Sequence, residues 1–193
     1  MARMNYLNQH NGIREILFIF SAFFLIPSLS YSDTLNLKSV SVRARVSDNT
    51  LLGKDAQEDF KEYDFSVNFQ LPWTLYSSSD WRADTRMMTS AGVLRGAGKN
   101  ALVVSAIPEL VIGHKSGWFN LDLGAGAALF SRQKFGVQDF GGPFQFALTL
   151  GVNLSLSQSL GLGYRFLHYS DAGVNGSNTT GADFHMIEFT YKL

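Results

Sequence analysis

The 193-residue chain has no cysteine, which excludes a disulfide framework, thiol nucleophiles and Cys-based zinc sites. It has no formal net charge, with 16 Lys+Arg balanced by 16 Asp+Glu, and so offers no electrostatic reason to bind nucleic acid. No group of His, Asp and Glu has the spacing of a metal site, and nothing in the sequence calls for a cofactor. Gly124-Ala-Gly126 lies inside an alternating run with no helix after it, which excludes a dinucleotide fingerprint. No apolar run is long enough to cross a membrane as a helix. The longest, Ile16 to Ile26 before Pro27, falls short of the roughly 20 residues that a span requires.

That short run has another use. Arg14 precedes it, and the small residues Ser30 and Ser32 flank Tyr31 after it. A basic start, a short apolar stretch and a small-x-small step form the pattern of a secretory leader. Residues 1–32 are therefore expected to be an export signal and 33–193 a single domain. Any membrane embedding of that domain has to use strands.

Beyond Asp33 the chain alternates almost throughout, the period of a strand with two different faces. Val40, Val42, Ala44 and Val46 alternate with Ser39, Ser41, Arg43 and Arg45; Tyr63 to Leu71 alternates with Asp64, Ser66, Asn68 and Gln70. Weaker runs cover Trp81–Leu94 and Ala101–Ile112, and clean ones cover Phe119–Leu129 and Phe144–Leu156. Two more close the chain, one from Leu160 and one from Ala182, which makes eight strands. Segments 47–58, 133–142 and 171–182 are long connections, whereas 76–80, 114–117 and 157–159 are short; 96–99 is also short, against the pattern. Long loops at one end and short turns at the other describe an eight-stranded antiparallel up-and-down transmembrane β-barrel. With both ends of the chain periplasmic, the 171–182 loop is extracellular.

Alternation does not by itself say which face is inside, and a soluble lipocalin-like barrel has the same period with its apolar face inward. The membrane reading is favoured by the polar faces. Arg43, Arg45, Arg82, Arg86, Arg165 and Lys192 stand there with Asp64, Asp84, Glu109, Asp122 and Glu188. These charges can pair across a lumen just wide enough for side chains. The final run, Phe189-Thr-Tyr-Lys-Leu193, also looks like the terminal strand of an outer-membrane barrel.

The candidate chemistry lies in the last two strands. Leu162, Tyr164 and Phe166 form an apolar face that His168 and Ser170 continue, and Asp183 shares the parity of Ile187, Phe189 and Tyr191. Polar groups on a face turned to lipid are costly and call for a reason. Symmetric pairing about the 171–182 loop would set Ser170 opposite Asp183 and His168 opposite His185. Asp183 would then reach the imidazole diagonally, giving the acid, base and nucleophile relation of a serine hydrolase. His185 is a rival base with poorer spacing from the serine, and Glu188 points into the lumen. The neighbouring Gly/Asn-rich loop can supply backbone N–H donors.

His168-Tyr-Ser-Asp-Ala-Gly173, Asn178, Gly181-Ala-Asp183, Gly142-Pro-Phe-Gln-Phe146 and Gly161-Leu-Gly-Tyr-Arg165 together resemble the PagL family of lipid A 3-O-deacylases. The likeness is specific over residues 142–193 and architectural over 33–141. It implies an outer-membrane esterase that removes an acyl chain from lipopolysaccharide, with lipid A as substrate, no cofactor, and a homodimer left open. It also implies Ser170 as nucleophile, His168 as base, Asp183 as acid, and the Gly173 N–H and Asn178 as oxyanion donors. Two positions depart from the family pattern. Asp183 stands where Glu is usual, after a loop one residue longer, and Asp171 stands where Asn is usual. A noncatalytic structural barrel and a soluble lipid-binding barrel are the competing readings.

Overall fold

The computed structural model describes residues 36–52, 58–176 and 179–193; the expected leader and Asn178 lie outside them. Eight long strands form one closed antiparallel barrel: β1 (Asn36–Ser47), β2 (Lys61–Ser77), β3 (Trp81–Gly96), β4 (Lys99–His114), β5 (Phe119–Phe130), β8 (Phe144–Ser155), β9 (Leu160–Ser170) and β10 (Ala182–Lys192). A two-stranded hairpin, β6 (Lys134–Phe135) and β7 (Gln138–Asp139), stands within the β5–β8 connection. Each barrel strand pairs with its neighbours in the chain, and β1 closes on β10 with Val42 opposite Phe189. β2 runs farther than its alternation suggested, through Pro72, with irregular register between Gln70 and Tyr76.

The two faces separate by chemistry. Val42, Phe65, Leu102, Leu123, Leu129, Leu148, Leu154 and Phe189 all point outward and are exposed, while Arg43, Asp64, Glu109, Asp122, Arg165 and Glu188 are buried inside. A water-soluble barrel would carry the reverse arrangement, since a continuous apolar belt of this size is not tolerated in water. The belt is the lipid-facing surface of a membrane-spanning barrel.

The lumen is braced by ion pairs, with a cavity of about 320 Å³ left among Ser39, Asn68, Arg86, Glu188 and Lys192. Arg165 Nε donates to Glu188 at 2.6 Å, Nη1 to Glu109 at 2.7 Å, and Nη2 to Asp122 at 2.9 Å. Arg86 reaches Glu109 and Asp122 from the other side at 2.5 and 2.7 Å, and Arg43 grips Asp64 through two bonds of 2.6 and 3.0 Å. Such forked pairs are the strong form of charge-assisted hydrogen bond. Gly151 gives the guanidinium room, since a Cβ there would lie 3.1 Å from the Arg165 guanidinium carbon and press on it. Arg82 pairs with Asp84 nearer the short-turn end.

Toward the long-loop end the lumen changes character. Phe130, Tyr169 and Phe184 from the strands meet Phe60, Phe135 and Phe140 from the connections, with ring centroids 5.1 to 6.2 Å apart. This aromatic plug anchors the long loops to the barrel, where the sequence pattern had suggested only a polar lumen.

Candidate active site

β9 and β10 place the candidate residues at the rim beside the long loops. Their register differs from symmetric pairing by one step of the alternation. His168 stands directly opposite Asp183, and His185 opposite Phe166. The faces are unchanged, because a shift of two residues preserves parity. The 171–181 connection turns tightly at its start, which offsets the ladder. Ala172 and Gly173 both have positive φ, 52° and 77°, and the Val174 N–H donates to the Asp171 carbonyl at 3.1 Å.

Asp183 Oδ1 lies 2.6 Å from His168 Nδ1, with the two side chains 1% and 12% exposed. A carboxylate can only accept, so Nδ1 carries the hydrogen and Nε2 of the neutral ring is left as acceptor. Ser170 is the last residue of β9, half-buried, and opposite Phe146 of β8. Its hydroxyl takes no hydrogen bond among the described residues. Gly181 borders both residues: a Cβ built there would lie 3.0 Å from His168 Cε1 and from Ser170 Cβ, and 2.7 Å from the Tyr169 carbonyl oxygen. Only glycine leaves that gap open.

His185, the rival base, is committed elsewhere. Its Nδ1 is bonded to the Tyr164 hydroxyl, and its Nε2 lies 2.9 Å from the Asn49 carbonyl oxygen. Both ring nitrogens are occupied, so it has none to offer Ser170. Glu188 is inside the barrel on Arg165, as its parity indicated.

The loop after Ser170 is organised by Asp171. Its buried carboxylate accepts from the Gly173 N–H at 2.9 Å, the Asn175 N–H at 3.1 Å and the Thr179 hydroxyl at 3.0 Å. The structure therefore engages the Gly173 N–H within the turn rather than leaving it free beside Ser170. The β6–β7 hairpin supports the far side of the loop. Gln138 Nε2 donates to the Thr180 carbonyl at 2.9 Å, and the Thr180 N–H donates to the Asp139 carbonyl at 3.0 Å. The Gly141 N–H, followed by Lys134, holds the Asp139 carboxyl below its ordinary range.

One set of contacts had no signature in the sequence. Asp183 Oδ2 accepts the backbone N–H groups of Leu51 and Leu52, at 2.5 and 2.7 Å, from the β1–β2 connection. Backbone donors belong to every residue type, so no motif could mark them. Among the described residues no cluster of His, Asp and Glu is arranged to hold a metal ion. The arrangement has the parts acyl transfer needs, an imidazole oriented by a carboxylate and a serine two residues along the same outward face of β9. No hydrogen bond joins His168 to Ser170 among the described residues.

Known proteins bear on this arrangement. A family model described as lipid A 3-O-deacylase (PagL) matches residues 61–192. The lipid A deacylase PagL of Bordetella bronchiseptica is 34% identical over 75 residues, which are 39% of this chain and 42% of that relative. The match thus spans less than half the length of the curated relative. A crystal structure of the outer membrane enzyme PagL superposes with a TM-score of 0.66 at 18% identity, over 80% of this chain and 99% of that one, a likeness of fold.

Proposed function

The chain belongs to the lipid A 3-O-deacylase (PagL) family, and from that premise we propose that it is an outer-membrane esterase that hydrolyses the 3-O-linked acyl chain of lipid A. Residues 1–32 would serve as its export leader. The observation that carries the reading is the His168–Asp183 pair beside Ser170 on the outward wall. A lipid of the surrounding leaflet can present an ester there without leaving the membrane.

In this mechanism Ser170 Oγ attacks the ester carbonyl while His168 Nε2 takes the hydroxyl proton. Asp183 steadies the imidazolium that forms without itself taking the proton. The tetrahedral intermediate collapses, the sugar oxygen leaves with the proton from His168, and the acyl chain remains on Ser170. Water, deprotonated by His168, then releases the fatty acid and restores the serine. The Gly173 N–H and Asn178 are the proposed oxyanion donors; the Gly173 N–H would have to turn from Asp171 Oδ1 to serve, a cost repaid only as negative charge develops. Asp171 also holds Gly173, Asn175 and Thr179 of this loop.

The test is incubation of the purified, detergent-solubilised protein with lipid A. One released fatty acid per lipid, and a product lighter by that single 3-O chain, is the expected result. An unchanged lipid A with a folded protein would favour a noncatalytic barrel.

A further inference from the structure

Three side chains that point outward from the barrel are nonetheless buried: Asp183 is 2% exposed, His185 6% and Phe166 8%. Tyr164 and Leu148, outward on the same strands and their neighbour, are 39% and 44% exposed. Something covers this patch of the outer wall, and it is the beginning of the β1–β2 loop. The irregular register between Arg45 and Ser47 ends the ladder of β1 with Ser47 opposite His185. The chain then passes over the patch, with the Asn49 carbonyl on His185 and the N–H groups of Leu51 and Leu52 on Asp183. From the lumen side, Arg45 donates to the Phe60 carbonyl at the far end of the loop, and its second terminal nitrogen lies 3.5 Å from the Asp183 carbonyl oxygen.

We propose that residues 49–52 of the β1–β2 loop position the catalytic acid, and that His185 is a positioning residue that holds them in place. The inference rests on the esterase reading above. A carboxylate bonded to the histidine through one oxygen alone can swing about its own bond. A carboxylate whose second oxygen takes two N–H groups is held against that rotation. Asp183 is one methylene shorter than the usual Glu, and the loop supplies the fixation on the side away from His168. The loop is itself fixed by a chain of two hydrogen bonds, from Tyr164 to His185 and from His185 to the Asn49 carbonyl. The acid is thus assembled from two places in the sequence, with β10 providing the side chain and the β1–β2 loop its cradle.

The experiment uses the full-length protein in detergent, with two readouts: kcat and KM on lipid A, and the rate at which an alkyl fluorophosphonate labels Ser170. Heat-dependent gel mobility confirms a folded barrel in each variant. His185→Phe should lower kcat and the labelling rate by roughly ten- to a hundredfold with KM little changed, the scale of a small misplacement of a reacting group. His185→Gln, which can still donate to the Asn49 carbonyl, should recover most of the loss. Leu52→Pro, which removes one N–H from Asp183, should reproduce the defect without altering His185. In an Asp183→Ala background, His185→Phe should cost nothing further, because there is no longer an acid to position. A folded His185→Phe protein with wild-type kcat and labelling, or a full additional loss in the Asp183→Ala background, would overturn the proposal. Should the wild-type protein label at Ser170 yet leave lipid A intact, the substrate assignment fails alone and the labelling rates decide the loop's role. Should it do neither, both fall together.

Discussion

Asp183 and His168 face one another directly across the β9–β10 ladder, Oδ1 to Nδ1 at 2.6 Å, and not diagonally. The direct register gives the short Asp side chain full reach to the imidazole. Asp183→Ala should therefore lower kcat by about a hundredfold or more, on the order of 2.7 kcal/mol of transition-state stabilisation, while serine and histidine remain. Glu188→Ala should leave turnover nearly intact, because Glu188 lies inside on Arg165. Steady-state kinetics on the two variants checks the ranking, and the reverse order would mean that the faces of β10 are misassigned.

Gly181→Ala is expected to be folded and impaired. Its Cβ would come within 3.0 Å of both His168 Cε1 and Ser170 Cβ and within 2.7 Å of the Tyr169 carbonyl oxygen. The backbone contact cannot yield cheaply, so serine and imidazole should be pushed from their working geometry, with a loss of roughly ten- to a hundredfold in kcat. Unchanged kinetics with normal heat-dependent mobility would show that the gap is not needed.

Arg165→Met should weaken the barrel without touching the site's own side chains. The change leaves Glu109, Asp122 and Glu188 without the cation that all three share. Removing one partner from a buried ion cluster typically costs about 3–5 kcal/mol. Urea unfolding followed by gel mobility should show a lower midpoint, while variants at exposed outward positions such as Leu123 should unfold as the wild type does.

The barrel was readable because its two faces differ in chemistry along most strands, less so along β3 and β4. Arg43 with Asp64, Arg86 with Glu109, and Arg165 with Glu188 all fell on the face that the structure turns inward. The His168, Ser170 and Asp183 parity was equally plain, since a strand's period survives a register shift of two. The shift itself was not readable, because it depends on the turn at Ala172 and Gly173 and on Asp171 capping it. The likeness to the family looked specific only from residue 142 onward, whereas the family model matches from residue 61. Phe60, Phe135 and Phe140 lie in or beside irregular segments, so no periodicity marked them as a plug. The cradle around Asp183 was hidden for a different reason, being made of backbone N–H groups more than 130 residues away in the chain.

Mass spectrometry of lipid A from Gram-negative cells that express this protein tests the central claim most directly, with Ser170→Ala and His168→Ala expressed alongside at equal levels. The account predicts lipid A lighter by one 3-O-linked acyl chain with the wild-type protein, and unmodified lipid A with either variant. Because the two residues act as one unit, the double variant should be no worse than either single one. Equal deacylation by wild type and a folded Ser170→Ala protein would contradict the account, as would lipid A that the wild-type protein leaves unchanged.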